Sequence, residues 1–260
     1  MLVMKIAAIS DVHVKNSNDS KDKILISFLR DDFVKSADAI FLLGDIFDLM
    51  IGPHSQYFKR YQRYFDEIKF LISNGKKVYY IQGNHDFHLE KLYKTFFKIN
   101  EQLDSSLFKI GPEFVLFDNG KSLHLSHGDD IEIENPSYQL FKKIVTSAPL
   151  TMYANNLMPY FLITKVGEFS SKTSRKRNLK RYSKEEDLTE VKEKFRRSVE
   201  VFYKKNPHDV YVCGHSHVKD LYMSDNGFIY INNGYAENSK TYMAIIDGHV
   251  SFRLIKELDS

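Results

Sequence analysis

Cysteine is nearly missing from this chain. The single residue, Cys213, excludes an internal disulfide and any zinc site built from cysteines. Long hydrophobic runs are missing too. The densest apolar stretch, Tyr160-Phe161-Leu162-Ile163, falls far short of the roughly 18–20 residues that a membrane-spanning helix needs. The opening stretch, MLVMKIAAISDVH, has no basic leader region and no small-x-small cleavage site. It reads as a first strand, not a signal peptide, and the expected compartment is the cytoplasm. Neither sign of charge dominates: 37 Lys and Arg face 34 Asp and Glu, a net charge of +3, which by itself gives no reason to expect a nucleic-acid partner. Compositional extremes are absent, with 43% hydrophobic and 27% charged residues, so disordered, collagen-like and coiled-coil classes are excluded. The 260 residues suit one large domain, or one domain carrying an insertion. Such a chain can bury roughly 70–75% of its unfolded surface without staples.

What is present is a repeated local pattern. Short runs rich in Ile, Val, Phe, Tyr and Leu, at residues 2–10, 39–43, 77–82, 123–126 and 209–213, each end in a polar turn bearing His, Asp, Asn or Gly. Their length and composition predict buried strands. Amphipathic stretches lie between the first of them, at 24–34 and 57–73, the second with a good stop at Asn74-Gly75. This alternation predicts an α/β fold, in which ligands bind beyond the carboxyl ends of the strands. The last third, with short strands at 210–213, 220–223, 228–232, 241–247 and 250–254 and turns at Asp225-Asn226-Gly227 and Asp247-Gly248, reads as a β-meander. The expectation is a sandwich of two mixed sheets flanked by helices.

Residues 132–205 break the rhythm. They look helical, are punctuated by Pro136, Pro149 and Pro159, and hold the local basic charge: 14 Lys or Arg against 7 Asp or Glu between 165 and 205, with six basic residues in positions 172–181. A final amphipathic helix is expected over 185–204. The reading is a helical cap inserted into a domain made of residues 1–131 and 206–260.

The strand-end turns supply Asp11, His13, Asp45, Asn84, His127, His215 and His217. Four imidazoles, two carboxylates and one amide suit Mn²⁺, Fe²⁺ or Zn²⁺ better than Mg²⁺ or Ca²⁺, which want nearly all oxygen. Seven side chains exceed what one tetrahedral ion with an open position can use; they suit two ions about 3.5–4 Å apart that share a carboxylate. Singly each signal is weak, since a lone strand-end histidine is more often structural. Jointly they are specific: all five turns follow expected strands, and five of the ten histidines sit in four of them.

In order, the blocks are Asp11-x-His13, Gly44-Asp45-x-x-Asp48, Gly83-Asn84-His85-Asp86, Ser126-His127-Gly128-Asp129 and Gly214-His215-x-His217. This set resembles the calcineurin-like metallophosphoesterases, in discrete blocks between residues 6 and 217. The resemblance implies an αββα sandwich and a dinuclear centre. Asp11, His13 and His217 would hold one ion, Asn84, His127 and His215 the other, and Asp45 would bridge. Mn²⁺ is the expected metal, with Fe²⁺ or Zn²⁺ as alternatives. His85 would assist the leaving group or the phosphate, and Asp86 would orient it. Asp48 reads as stabilising its turn, and Asp129 as a partner for the second ring nitrogen of His127. No protein nucleophile is needed, because water activated by two divalent ions can attack phosphorus in line.

A closer resemblance rests on Asp45-Ile46-Phe47-Asp48 with Met50-Ile51-Gly52, and on His127-Gly128-Asp129 with Tyr138-Gln139-x-Phe141. These are similar to the UDP-2,3-diacylglucosamine pyrophosphatases of lipid A biosynthesis, which also insert a helical cap at this point. The resemblance makes Tyr138, Ser171, Ser174, Arg175 and Asn178 candidate substrate contacts. It implies an acylated UDP-sugar substrate, UMP and the diacylglucosamine 1-phosphate as products, and peripheral contact with the anionic inner face of the inner membrane. Many members of that family carry Arg where this chain has His85. The rivals are a general phosphodiesterase or nucleotide phosphatase and, in another class, a scaffold that has lost catalysis; the presence of all seven ligands argues against the scaffold. No long basic groove or stacking platform suggests nucleic acid. The sequence leaves the oligomeric state open.

Overall fold

The structure, a computed structural model, describes residues 4–132, 159–163, 165 and 185–256. Apolar runs form strands because both faces find apolar partners. In β1 (Lys5–Ile9), Ile6 and Ala8 face one apolar layer and Ala7 and Ile9 another. Helices α1 (Ser20–Arg30) and α2 (Asp32–Ser36) follow. The sequence predicts one helix over 24–34; Asp31, at φ −59° and ψ 139°, divides it and caps the second piece by accepting the Phe33 N–H at 2.9 Å.

Strand β2 (Ala39–Leu43) leads to the short β3 (Met50–Ile51) and to α3 (Gln56–Arg60) and α4 (Gln62–Ser73). These two replace the single helix expected over 57–73. Tyr61 leaves helical geometry at φ −118°, ψ 37°, with its ring against Phe47 at 4.1 Å and its hydroxyl donating to Leu49 O at 3.0 Å. The tertiary contact outweighs the local periodicity. The stop at Asn74-Gly75 forms as expected, with Gly75 at φ +73° and the Lys76 N–H reaching back to Leu71 O at 3.0 Å.

Strands β4 (Lys77–Ile81) and β5 (Asp86–Phe87), helix α5 (Glu90–Ile99) and strands β6 (Phe108–Gly111), β7 (Glu113–Asp118) and β8 (Lys121–Ser126) complete the first half. Then come α6 (Glu185–Tyr203), β9 (Val210–Cys213), β10 (Lys219–Met223), β11 (Ile229–Asn233), α7 (Ala236–Ser239), β12 (Thr241–Ile246) and β13 (His249–Leu254).

The first sheet runs β13-β12-β1-β2-β4-β6 and the second β10-β11-β9-β8-β7. Both are mixed: β1, β2, β4 and β6 are parallel neighbours, as are β8, β9 and β11, with antiparallel strands at the flanks. The expected meander is therefore corrected. β10–β11 and β12–β13 are hairpins, but β11 lies parallel to β9, and β12 returns to the first sheet beside β1. Turn residues identify a hairpin; they say nothing of which distant strand it joins.

Four layers result. Phe41, Leu43 and Ile81 meet Leu125, Val212 and Ile231 between the sheets. Helices α1, α4 and α5 cover the far face of the first sheet with Phe28, Ile68 and Leu92. Helix α6 covers the far face of the second, with Val199 against Tyr211, Cys213, Phe228 and Tyr230. Helix α6 thus packs on the second sheet. Residues 133–158, 164 and 166–184 of the expected cap lie outside the described residues; besides α6, its described residues are 132, 159–163, 165, 204 and 205. Of these, Tyr160 rests its ring on Tyr57 at 5.4 Å. Among the described residues, no helix is long and apolar enough to cross a membrane.

Candidate metal centre

Every expected ligand sits just past the carboxyl end of a parallel strand. Asp11 and His13 follow β1, Asp45 follows β2, Asn84 follows β4, His127 follows β8, and His215 and His217 follow β9. Because the two sheets stack, turns from both open toward one place. Five of the seven residues hold left-handed backbone: Asp11, His13, Asp45, His215 and His217, at φ +52°, +55°, +51°, +67° and +59°. For non-glycine residues this costs about 1 kcal/mol or more each, so the surroundings must enforce it. They do so with backbone bonds between turns: His13 N to Asp45 O at 2.9 Å, Ala236 N to Asp11 O at 3.1 Å, and Tyr235 N to His217 O at 3.1 Å.

The side chains converge in two groups. Nε2 of His217 lies 3.3 Å from Asp11 Oδ1 and 3.2 Å from His13 Nε2. Nε2 of His13 is 3.8 Å from Asp45 Oδ2. Donor atoms of these four residues all fall within 4.8 Å of one another. In the second group, His127 Nε2 is 3.6 Å from the same Asp45 oxygen and 3.2 Å from Asn84 Oδ1. Asp45 thus stands between the groups. The His215 ring meets His127 edge-on at 5.1 Å, and its Nε2 bonds Glu132 Oε2 at 3.0 Å.

These spacings fit a cation. Two atoms bound to one ion at about 2.0–2.2 Å stand roughly 3.0–3.6 Å apart at octahedral to tetrahedral angles. The contacts of His217 fall in that range. The electrostatics agree. Burial depresses His13 well below the usual imidazole range, helped by the neighbouring His85, His217, Lys21 and His127, so it is neutral and able to ligate. Burial opposes the Asp11 carboxylate, but His217, His127 and the Ser10 hydroxyl hold it low and ionised. Burial also opposes charging of His127, yet Asp45, Asp11 and Asp129 raise it to about 9. A place that attracts protons this strongly has negative charge to offer a cation.

His85 and Asp86 sit beside this cluster. The His85 ring meets His13 edge-on at 4.9 Å, and its Nδ1 pairs with Asp48 O at 2.9 Å. Asp86, expected to orient His85, is fully buried and directs its carboxylate elsewhere. It accepts from Asp45 N, Ile46 N, Phe47 N, Gly83 N and Tyr80 Oη, at 2.7–3.2 Å. It builds the turn that carries Asp45, while a backbone carbonyl aims His85. Burial and the charge of Asp45 push its carboxyl up to about 6. The expected Asp129 contact is likewise corrected: His127 Nδ1 pairs with Leu43 O at 2.8 Å, because the imidazole lies back over the end of β2.

Sequence reasoning missed four residues. Asn233 Oδ1 accepts from Ser10 N at 3.0 Å, and Ser10 Oγ, 3.0 Å from the same oxygen, donates to Asp11 Oδ2 at 2.6 Å. Tyr235 stacks on His217 at 5.6 Å. The fourth is Glu132. Asn233-Gly234 follows the strand expected over 228–232, so the same strand-end pattern points to Asn233; no pattern marks Glu132. The candidate substrate contacts Tyr138, Ser171, Ser174, Arg175 and Asn178 lie outside the described residues.

Comparison with known families decides the class. Residues 4–219 match the calcineurin-like phosphoesterase family. The chain belongs to that family. Family and donor cluster together support a metal-dependent hydrolase that binds divalent cations. Among similar proteins of this phosphoesterase are three named UDP-2,3-diacylglucosamine hydrolase. That of Psychromonas ingrahamii is 27% identical over 164 residues, 63% of each chain. That of Wigglesworthia glossinidia brevipalpis is 25% identical, over 84% of this chain and 81% of its own. That of Neisseria meningitidis serogroup A is 26% identical, over 92% and 93%.

Proposed function

We propose that this phosphoesterase cleaves the pyrophosphate of UDP-2,3-diacylglucosamine, giving UMP and 2,3-diacylglucosamine 1-phosphate, with two divalent ions, Mn²⁺ first among them. The observation that carries the chemistry is Asp45 Oδ2, placed within 3.6–3.8 Å of a histidine from each donor group. The substrate is supported by the names of the relatives. Asp11, His13 and His217 would hold one ion, Asn84, His127 and His215 the other, and Asp45 both. When bound, such a pair supplies an activated water at neutral pH and neutralises phosphate oxygens.

The side chains set the geometry around that chemistry. With Nδ1 held by Asp48 O, His85 has Nε2 for a leaving oxygen or a phosphate oxygen. Burial works against its charge, while Asp45 and the Asp48 carbonyl raise its pKa in the metal-free protein. Tyr235 stacks on His217 and lies 5.9 Å from the His13 ring. The protein would work at the inner face of the inner membrane as a peripheral enzyme, its acyl chains held by the cap.

Incubation of the Mn²⁺-loaded protein with UDP-2,3-diacylglucosamine should release UMP and the lipid 1-phosphate, and bare UDP-glucosamine should turn over far more slowly. Equal rates on both would favour a general phosphodiesterase or nucleotide phosphatase, the reading that His85 in place of the family's frequent Arg supports.

A further inference from the structure

We infer that Glu132, clamped by Lys194, is the positioning residue for His215 at the second cation. The inference rests on the paired-cation reading of the site. Glu132 is 3% exposed and lies on the turn that carries His127, its N–H reaching Gly128 O at 3.3 Å. Its carboxylate joins the turn after β9 to α6. Oε2 takes His215 Nε2 at 3.0 Å, and Oε1 accepts from Lys194 Nζ of α6 at 2.6 Å. Phe195, the next residue of α6, sets its ring against His215 at 6.1 Å. The pair is therefore shielded from water, which strengthens it.

A carboxylate on one imidazole nitrogen does two things. It fixes the ring's rotation, and it keeps the proton on that nitrogen. With the proton on Nε2, Nδ1 of His215 is the atom that serves a cation, with greater basicity. Lys194 in turn holds the carboxylate in one orientation. Glu132 immediately precedes residues 133–158, and Lys194 follows residues 166–184. Two residues 62 positions apart thus meet behind one ligand.

Metal binding tests this without any nucleotide substrate. Calorimetric titration of the metal-free full-length protein with Mn²⁺ should show two equivalents. In Glu132→Ala the second equivalent should weaken about 10–100-fold while the first keeps its affinity. Lys194→Met should weaken it less. At equal loading, Glu132→Ala should show the electron paramagnetic resonance spectrum of mononuclear Mn²⁺ where the parent shows a coupled pair. Because Glu132 acts through His215, Glu132→Ala should weaken binding no further in a His215→Ala background. Wild-type affinity for both equivalents in Glu132→Ala, with one lost in His215→Ala, would overturn the assignment. If the alanine variant does not fold, Glu132→Gln replaces it; its single carbonyl oxygen cannot serve both His215 and Lys194. Equal weakening of both equivalents in Glu132→Gln would make Glu132 a residue of the fold and also overturn the assignment. A single equivalent in the parent would sink the paired-cation reading itself.

Discussion

Asp45 concentrates the site's dependencies in one side chain. Oδ2 faces histidines of both donor groups, while Oδ1 accepts the His85 N–H at 2.9 Å. Asp45→Ala should abolish metal-dependent turnover and lower the metal content at both positions, as read by elemental analysis; retained activity would remove the shared-ligand arrangement. The turn around it is equally constrained. A Cβ on Gly83 would collide with the Asp45 carboxylate and amide, so even alanine is excluded there without displacing the ligand. His85 should behave differently. His85→Ala should cut turnover by about 10²–10⁴-fold with metal content unchanged, because the ring contacts His13 and Asp48 O without belonging to either donor group. Parallel loss of activity and metal would make His85 structural.

At the scale of elements, α6 shows how a helix from the far side of the chain is fastened to the second sheet. Val199 supplies apolar contact, Arg196 pairs with both oxygens of Asp220 at 2.7 and 2.9 Å, and Glu200 accepts from Tyr222 Oη and Asn226 Nδ2 at 2.9 and 2.8 Å. Burial raises the Glu200 carboxyl, but the bonds from Ser224, Asn226 and Tyr222 outweigh it and hold its folded pKa below the ordinary value. The sign follows. The unfolded chain binds this proton first as pH falls, so Glu200 stabilises the fold above an unfolded pKa of about 4.3 and loses that contribution as pH falls through the depressed folded value. Glu200→Gln should therefore lose less stability than the parent when urea midpoints are compared between about pH 6 and pH 3. An unchanged difference across that range would mean that the Glu200 bonds do not contribute.

On the scale of the whole molecule, two stacked sheets do the work of assembly. His13 and His217, 204 positions apart, come to 3.2 Å because the parallel strands of both sheets end on the same side. The basic run at 172–181 belongs to this scale as well, through charge and not contact geometry. Each Lys or Arg near an anionic surface contributes about 1 kcal/mol. Neutralising Arg175, Lys176 and Arg177 together should weaken co-sedimentation with phosphatidylglycerol vesicles at least tenfold and leave binding to neutral vesicles unchanged. Unaltered binding to the anionic vesicles would return the run to an ordinary solvated surface.

The sequence alone determined the α/β class, most strand positions and which turns carry donor residues. All of these follow from local rules: alternation and β-branched content make a strand, and a polar turn must follow it. The stop at Asn74-Gly75 and the hairpin turn at Gly227 belong with them. Tertiary structure alone decided the rest. It broke the helix at Tyr61 for a contact with Phe47, set β11 parallel to β9, and packed α6 on the second sheet. It gave His127 to a Leu43 carbonyl instead of Asp129, turned Asp86 to the amides of the Asp45 turn, and put Glu132 behind His215. The physical reason is the same throughout. A side chain's type and spacing state what it can offer, but its partner is whatever distant group the packed sheets bring within hydrogen-bonding reach.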